Sequence, residues 1–338
     1  MAYNHTYGTT TDIAVMTRSA IMRGFIDQVL VESPVLAIMV DNNMATMEGG
    51  ESLDVPVKNA RGTANYQTYF EGDVLTTGRT NRYDTARFDY GNAQVPVTYT
   101  VKDLVENRNG NRDAKILDII ERMTKDAHTE MRDGLSADMW DENDAEGDRG
   151  FRSIPLALDH SRTYGNITSD TSSVAYWNGA SISGAYTDRN TAYTASIDTI
   201  RKAYDAASRY DGNIRKKKYI VVPTTLFRAF KRQAESKDRN IVNGSLAKYG
   251  HTSIMIDDME VVEDKYLEYT KAKTTWMFIL DPETWHFEVD PVRKFWMTPF
   301  LHQGNIVGGK DEYLARIFLS ARLYCDRPQA NIWLSNVS

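Results

Sequence analysis

Cysteine is nearly absent: Cys325 is the only one in 338 residues. A lone thiol excludes an intramolecular disulfide framework and suits a reducing compartment. A basic excess is also missing. Lys and Arg number 40 against 46 Asp and Glu, for a net charge of -6, so the whole chain lacks the footprint of a nucleic-acid clamp. No apolar run approaches the roughly 18 residues that span a bilayer. The opening Met1-Ala2-Tyr3-Asn4-His5-Thr6 has no basic or apolar signal region, so no secretory leader is expected. His5, His128, His160, His251, His286 and His302 show no paired ligand spacing, so neither a metal nor a cofactor is expected.

One stretch is short of aliphatic side chains. Residues 47–94 contain only Met47, Leu53, Val55, Val57, Val74 and Leu75 beyond alanine. Leu53, Val55 and Val57 alternate with polar neighbours, and Tyr66, Tyr69, Phe70, Tyr83, Phe88 and Tyr90 follow. Alternation argues for strands, yet so little apolar surface does not offset the entropy of ordering the segment. A projecting two-stranded arm needs a surface to lie on. If the rest of the chain does not supply it, another subunit must, which points to an assembly protein.

Elsewhere the periodicities are strong. Val95, Val97, Tyr99 and Val101 alternate with Pro96, Thr98 and Thr100, a strand with one wet face whose proline marks an edge or a strand start. Ile116, Ile120, Met123, Ala127, Met131, Leu135 and Met139 form one stripe, predicting a helix over 113–143 laid across a sheet. Ile21, Phe25, Ile26, Val29 and Leu30 predict a helix ended by Ser33-Pro34. That helix is either an arm along other elements or an ordinary core helix. Residues 160–195 read as extended loop. Helices are expected at about Ser196–Ser208 and after Pro223, with strands at Tyr219–Val222, Ile254–Ile256, Met259–Val262, Trp276–Leu280 and Trp285–Val289. Residues 196–295 thus read as a compact unit. The chain closes on a long alternating strand with Tyr313, Ala315, Ile317, Leu319, Ala321 and Leu323 on one face and Arg316, Ser320 and Arg322 on the other. It should pair with Val95–Val101, which makes 196–295 an insertion in an α+β fold.

This order of elements resembles the major capsid proteins of tailed double-stranded DNA phages, the Hong Kong 97-type fold. Tyr164-Gly165-Asn166-Ile167 followed by Tyr176-Trp177-Asn178 is similar to a glycine–isoleucine, then tryptophan, pattern of that family. Lys218-Tyr219-Ile220-Val221-Val222-Pro223 is similar to its axial-domain strand. The resemblance implies an N-arm at 1–46 and an extended loop at 47–94. It implies a peripheral domain at 95–195 plus 296–338, with its spine helix, and an axial domain at 196–295. It also implies hexamers and pentamers closing into an icosahedral shell around DNA, in a virion assembled in a host bacterial cytoplasm. The expected partners are further copies, a portal protein, a separate scaffolding protein, since there is no room for a fused one before the arm, and a decoration protein where one is used. No membrane is expected. Lys58 is the only lysine in the loop and lies near its base, which argues against a covalent lysine–asparagine crosslink.

Candidate intersubunit contacts are Tyr69, Phe70, Glu71, Asp73, Arg79, Arg82 and Arg87, a mixture of aromatic groups and both charges. Arg215, Lys216, Lys217 and Lys218 form the one basic run, read either as a patch facing DNA or a neighbour, or as a solvated loop. Gly304–Asp311 misses a P-loop because Asp311 replaces the Ser/Thr and a strand follows. Asp141, Asn143, Asp144, Glu146 and Asp148 miss the EF-hand pattern. Cys325 is expected to be packed, not nucleophilic. No catalytic residue is assigned. The rival readings are an encapsulin-like nanocompartment shell, similar in fold but holding cargo enzymes, and an α+β enzyme with a disordered insertion at 47–94.

Overall fold

The structure is a computed structural model. It describes residues 34–35, 38–39, 44–46, 52–58, 67–75, 83–102, 112–143, 151–168, 177–182, 190–209, 217–235, 253–257, 259–269, 271–303 and 311–338, with only the backbone for 44 and 112–120. The helix expected at Ile21–Leu30 lies outside them.

The strongest period-two patterns pair with each other. Strand β4 (Gly91–Thr100) runs antiparallel to β14 (Glu312–Cys325), from Gly91 opposite Ala321 to Thr100 opposite Glu312. Ala315, Ile317, Leu319, Ala321 and Leu323 are all buried, as their alternation predicts. Pro96 sits opposite Arg316. The Arg316 N–H donates to Thr298 Oγ1 and its carbonyl accepts from Thr298 N, both at 2.9 Å, so its polar groups point away from β4. The position where Pro96 lacks an N–H therefore faces the open edge, where no ladder bond is lost. On its other side β14 carries β11 (Trp285–Val289), β12 (Trp296–Met297) and β13 (Leu301–His302), and β1 (Met44–Thr46) joins β11 in parallel.

Helix α1 (Arg112–Met139) packs against β4. At 1.5 Å per residue it is about 42 Å long. Ala127, Met131, Leu135 and Met139 are buried at the predicted spacing. The helix ends at Met139, short of the predicted 143. Trp140 N and Asp141 N donate to carbonyls three residues back, and the Trp140 ring turns into the core.

A second, mixed sheet has the order β15-β10-β7-β9-β8, from β7 (Tyr219–Val222), β8 (Ser253–Ile256), β9 (Met259–Glu263), β10 (Met277–Leu280) and β15 (Ile332–Leu334). Helix α3 (Ile197–Ala207) packs on β15 and β10, and α4 (Thr224–Glu235) on β9. Ser196 caps α3, its Oγ accepting from Thr199 N. The expected self-contained unit 196–295 is corrected in two places. Strand β11 leaves it for the β14 sheet, and the C-terminal β15 enters it. Burial explains both: β15 offers Ile332, Trp333 and Leu334 to the core, while β11 alternates buried Trp285, Phe287 and Val289 against β14.

Two short helices were not expected. Helix α2 (Ile154–Leu158), capped by Ser153, is wholly buried in the 151–168 region. Helix α5 (Lys265–Tyr269) follows β9 and latches the spine helix to the second sheet. Trp140 Nε1 donates to Asp264 Oδ2 at 3.1 Å, Tyr266 N donates to Asp264 Oδ1 at 2.8 Å, and Tyr266 Oη donates to Asp133 Oδ1 at 2.6 Å. Lys273 and Glu142 form an ion pair beside them.

Burial pushes the Asp264 carboxyl up to about 6, against the pull of its hydrogen bonds. The folded chain therefore holds this proton more tightly than the unfolded chain does. The resulting stability is present at low pH and lost as pH rises through about 6. His128, buried on the spine stripe, acts in the opposite sense. Burial pushes it down to about 4, so its contribution is lost as pH falls. Isolating Asp264 needs a difference measurement. From pH 4 to pH 7, urea unfolding of the parent should lose about 2 kcal/mol relative to Asp264→Asn. A constant difference across that range would refute the assignment.

Candidate assembly interface

The arm is built from β2 (Ser52–Lys58) and β3 (Tyr83–Asp89), antiparallel from Ser52 opposite Asp89 to Lys58 opposite Tyr83. Its underside carries Leu53, Val55 and Val57 with buried Ala86 and Phe88. The chain itself supplies the surface for this base. Phe88 lies against Tyr164 and Tyr324, with ring centroids 5.1 and 5.2 Å away. The hairpin of β5 (Thr163–Tyr164) and β6 (Ile167–Thr168) closes on the base through its turn. Gly165 and Asn166 have φ of 60° and 63°, the two left-handed positions of a type I′ turn. The Gly165 carbonyl accepts from Arg87 N at 3.0 Å. Trp177 Nε1 donates to the Tyr164 carbonyl at 2.8 Å, and Tyr164 Oη accepts from Cys325 N at 2.7 Å. The glycine–isoleucine–tryptophan pattern is thus the seat of the arm.

Ser320 and Arg322 lie on the polar-bearing face of β14, yet both are buried. Arg322 Nε donates to Glu288 Oε2 at 2.7 Å, and its guanidinium lies 4.8 Å from the Tyr90 ring, where β3 passes into β4. Ion pairing makes that burial tolerable. Neither spacing nor periodicity could have revealed this clasp.

Among the described residues, the far end of the arm has no such support. Residues 67–75 are exposed, with Phe70 at 86% and Val74 at 92%. The tip is nevertheless shaped: Asp73 N donates to the Phe70 carbonyl at 3.0 Å, Phe70 N donates to Asp73 Oδ2 at 2.8 Å, and Gly72 has φ 97°. That is a type II turn. Of the candidate contacts, Tyr69, Phe70, Glu71 and Asp73 lie together on this tip. Arg87 lies away from them, opposite Asp54 on the base and 3.8 Å from Asp89. Arg79 and Arg82 lie outside the described residues.

The basic run does not form one patch. Lys218 is fully buried, and its Nζ donates to the carbonyls of Ala207 at 3.0 Å and Ala330 at 2.7 Å. It satisfies the C-terminal end of α3, where a cation is favoured. Lys217 pairs with buried Glu260 at 3.2 Å. Arg215 and Lys216 lie outside the described residues, as do 304–310 and 144–148. Cys325 is buried, and burial raises its thiol pKa, so the thiolate is disfavoured. Among the described residues no group of three His, Cys, Asp or Glu is placed to hold a metal. No helix among them is long and apolar enough to cross a membrane.

An arm seated at its base, a spine helix across a long strand pair, and a second mixed sheet define the Hong Kong 97-type capsid fold. No family model and no curated protein matches the sequence. Solved structures do match the fold. The cyanophage A-1(L) capsid asymmetric unit aligns with a TM-score of 0.63 at 13% identity, covering 91% of this chain and 93% of that one. The capsid of the empty GTA particle gives 0.55 at 10% identity, covering 88% and 94%. The holo-SrpI encapsulin complex of Synechococcus elongatus gives 0.54 at 11% identity, covering 90% and 88%.

Proposed function

We propose that this chain is a major capsid protein that assembles as hexamers and pentamers into an icosahedral shell enclosing phage double-stranded DNA. The observation that carries the reading is the arm: its base is packed within the chain and its tip presents Tyr69, Phe70, Val74 and Leu75 to solvent. Large exposed apolar clusters mark sites of association. In this reading 1–46 is the N-arm and 47–94 the extended loop. Residues 95–195 with 296–338 form the peripheral domain and 196–295 the axial domain, with β11 and β15 crossing between these two. Tyr69, Phe70, Glu71 and Asp73 make intersubunit contacts, with Arg79, Arg82 and Arg87 along the same arm. The partners are a portal protein, a separate scaffolding protein and a decoration protein where one is used. The chain works in the virion by geometry, without catalysis.

Negative-stain electron microscopy with sizing chromatography of the purified chain tests this. Closed shells, or rings of five or six, are expected. A monomer or dimer that persists on co-expression with the scaffolding protein would overturn it. The encapsulin neighbour makes the contents informative: nuclease-protected DNA inside native particles is expected, and packed enzyme in its place would favour a nanocompartment.

A further inference from the structure

The two helices on the second sheet treat their cations differently. Both cover one face of that sheet: Met277 and Ile279 of β10 pack with them, while Phe278 and Leu280 pack with the cluster that holds the α1 stripe. Their outer sides therefore turn away from the spine helix. On α3, Lys202 pairs with Asp198 at 2.8 Å and Arg201 Nε donates to Asp257 Oδ2 at 2.8 Å. Just past that helix, Arg209 Nη2 donates to the Ile182 carbonyl at 3.2 Å. On α4, Arg228 and Arg232 are exposed and Lys231 is half-buried, and none of the three has a partner among the described residues. Spacings of three and four put them on one side of the helix.

Residues 224–234 contain no Asp or Glu. The carboxylates that reach α4 are engaged at its N-terminal end. Thr224 Oγ1 donates to Glu263 Oε1 at 2.6 Å, and Thr225 N and Oγ1 donate to Glu268 at 2.8 and 3.0 Å. The helix is also held in place. Leu226, Phe227, Phe230 and Ala234 are buried, and Gln233 accepts from Ile197 N at 3.2 Å and donates to the Ala195 carbonyl. In a chain of net charge -6, this face reverses the sign locally. Three cations stand within about 6 Å of helix axis. Like charges at that spacing cost a helix some stability, which a bound polyanion offsets.

No large apolar side chain is exposed on α4, so the face lacks the anchor that carries a protein–protein contact. Gln233, its one amide, is engaged with α3 and cannot read a base edge. Arg and Lys on this face suit phosphate contact, which carries no sequence information. About 6 Å of duplex axis carries roughly two phosphates on each strand. We propose that Arg228, Lys231 and Arg232 hold the phosphate backbone of the enclosed duplex DNA, independently of its sequence. This contact rests on the shell reading and turns the α4 face to the interior. It takes the place of the run at 215–218, whose Lys217 and Lys218 are engaged within the chain. One copy binds weakly, and repetition over the shell multiplies the effect.

Fluorescence anisotropy of a short duplex of arbitrary sequence with the purified, unassembled chain tests it. Three phosphate contacts predict that the parent's dissociation constant rises roughly fortyfold between about 50 and 200 mM salt. Arg228→Gln/Lys231→Gln/Arg232→Gln should lose at least tenfold in affinity at the lower salt and most of the salt dependence. Arg201→Gln/Lys202→Gln/Arg209→Gln makes the same change in net charge on the α3 side and should stay within threefold of the parent. A parent that does not bind at the lower salt, an α4 variant that binds like the parent, or an equal loss in the α3 variant overturns the proposal. Electron microscopy of the same proteins separates the contact from the shell. An α4 variant that keeps its DNA affinity but no longer assembles makes this face a contact between copies and overturns the proposal. A parent that binds DNA through α4 yet forms neither rings nor shells sinks the shell reading and leaves the phosphate contact. Should the triple variant not fold, the single glutamine variants decide: each should lower the salt slope by about one, and an unchanged slope in all three overturns the proposal.

Discussion

Replacing Tyr69, Phe70, Val74 and Leu75 together by serine yields a folded chain that no longer closes into particles. The four side chains contribute almost nothing to the fold of one copy, because they already face solvent. Surface changes of that kind stay within roughly 0.5 kcal/mol of the parent. In an assembly the same groups are removed from water. Full burial of one large apolar side chain is worth about 1.5–3 kcal/mol, so losing even half of the four costs each contact about 3–6 kcal/mol. That is roughly two to four powers of ten in each association constant. A ring repeats the loss at every interface, so the concentration needed for assembly rises beyond the usual working range. The expected result is a parent-like melting temperature and far-ultraviolet spectrum, with elution as a small species under conditions where the parent elutes as particles. Particles at the parent's concentration would remove the arm tip from the interface. A melting point lowered by many degrees would place these side chains in the fold.

The tip was legible because it breaks a rule visible in one dimension. A stretch with six aliphatic side chains and several aromatic ones cannot bury itself, and Tyr69 and Phe70 stand where no core residue should. The pairing of β4 with β14 and the stripe of α1 were legible for a related reason: periods of 2 and 3.6 survive in sequence whatever the partner is. What failed depends on contacts between distant residues. Lys218 reads as one of four cations, yet its ammonium sits between carbonyls 11 and 112 residues away. Arg322 reads only as a residue on the other face of the strand, and nothing in sequence signals that Glu288 and Tyr90 enclose it. Strand β11 was placed in the wrong unit because chain order predicts neighbours, and β15 was not read as a strand at all; the chain crosses between sheets at both points.

Gly165 is the residue on which the seating of the arm depends most sharply, and Gly165→Val tests that. At φ 60° any L side chain is disfavoured, and a β-branched one more so. The added Cβ would lie 3.0 Å from both Ala86 Cβ and Phe88 Cζ, and Ala86 has no rotamer with which to retreat. Left-handed strain costs about 1–2 kcal/mol, and forcing atoms into a packed site about 1–3 more. The fold relieves both by letting β3 rise off the β5–β6 turn, breaking the Arg87 N to Gly165 carbonyl bond and unstacking Phe88 from Tyr164. The expected outcome is a loss of about 3 kcal/mol in urea unfolding, with proteolysis within 47–94 accelerated at least tenfold. Asn166→Gly is the informative partner, because Asn166 has φ 63° and glycine accepts that conformation freely. It should be neutral to within about 1 kcal/mol. If Gly165→Val behaved like Asn166→Gly, the turn would be a passive hairpin and the arm would be seated by Phe88 and its ring partners alone. If the arm loosens as expected, its tip is presented over a wider range of directions. The entropy of orienting it then falls on the intersubunit contact, and particle yield should drop even though every tip residue is unchanged.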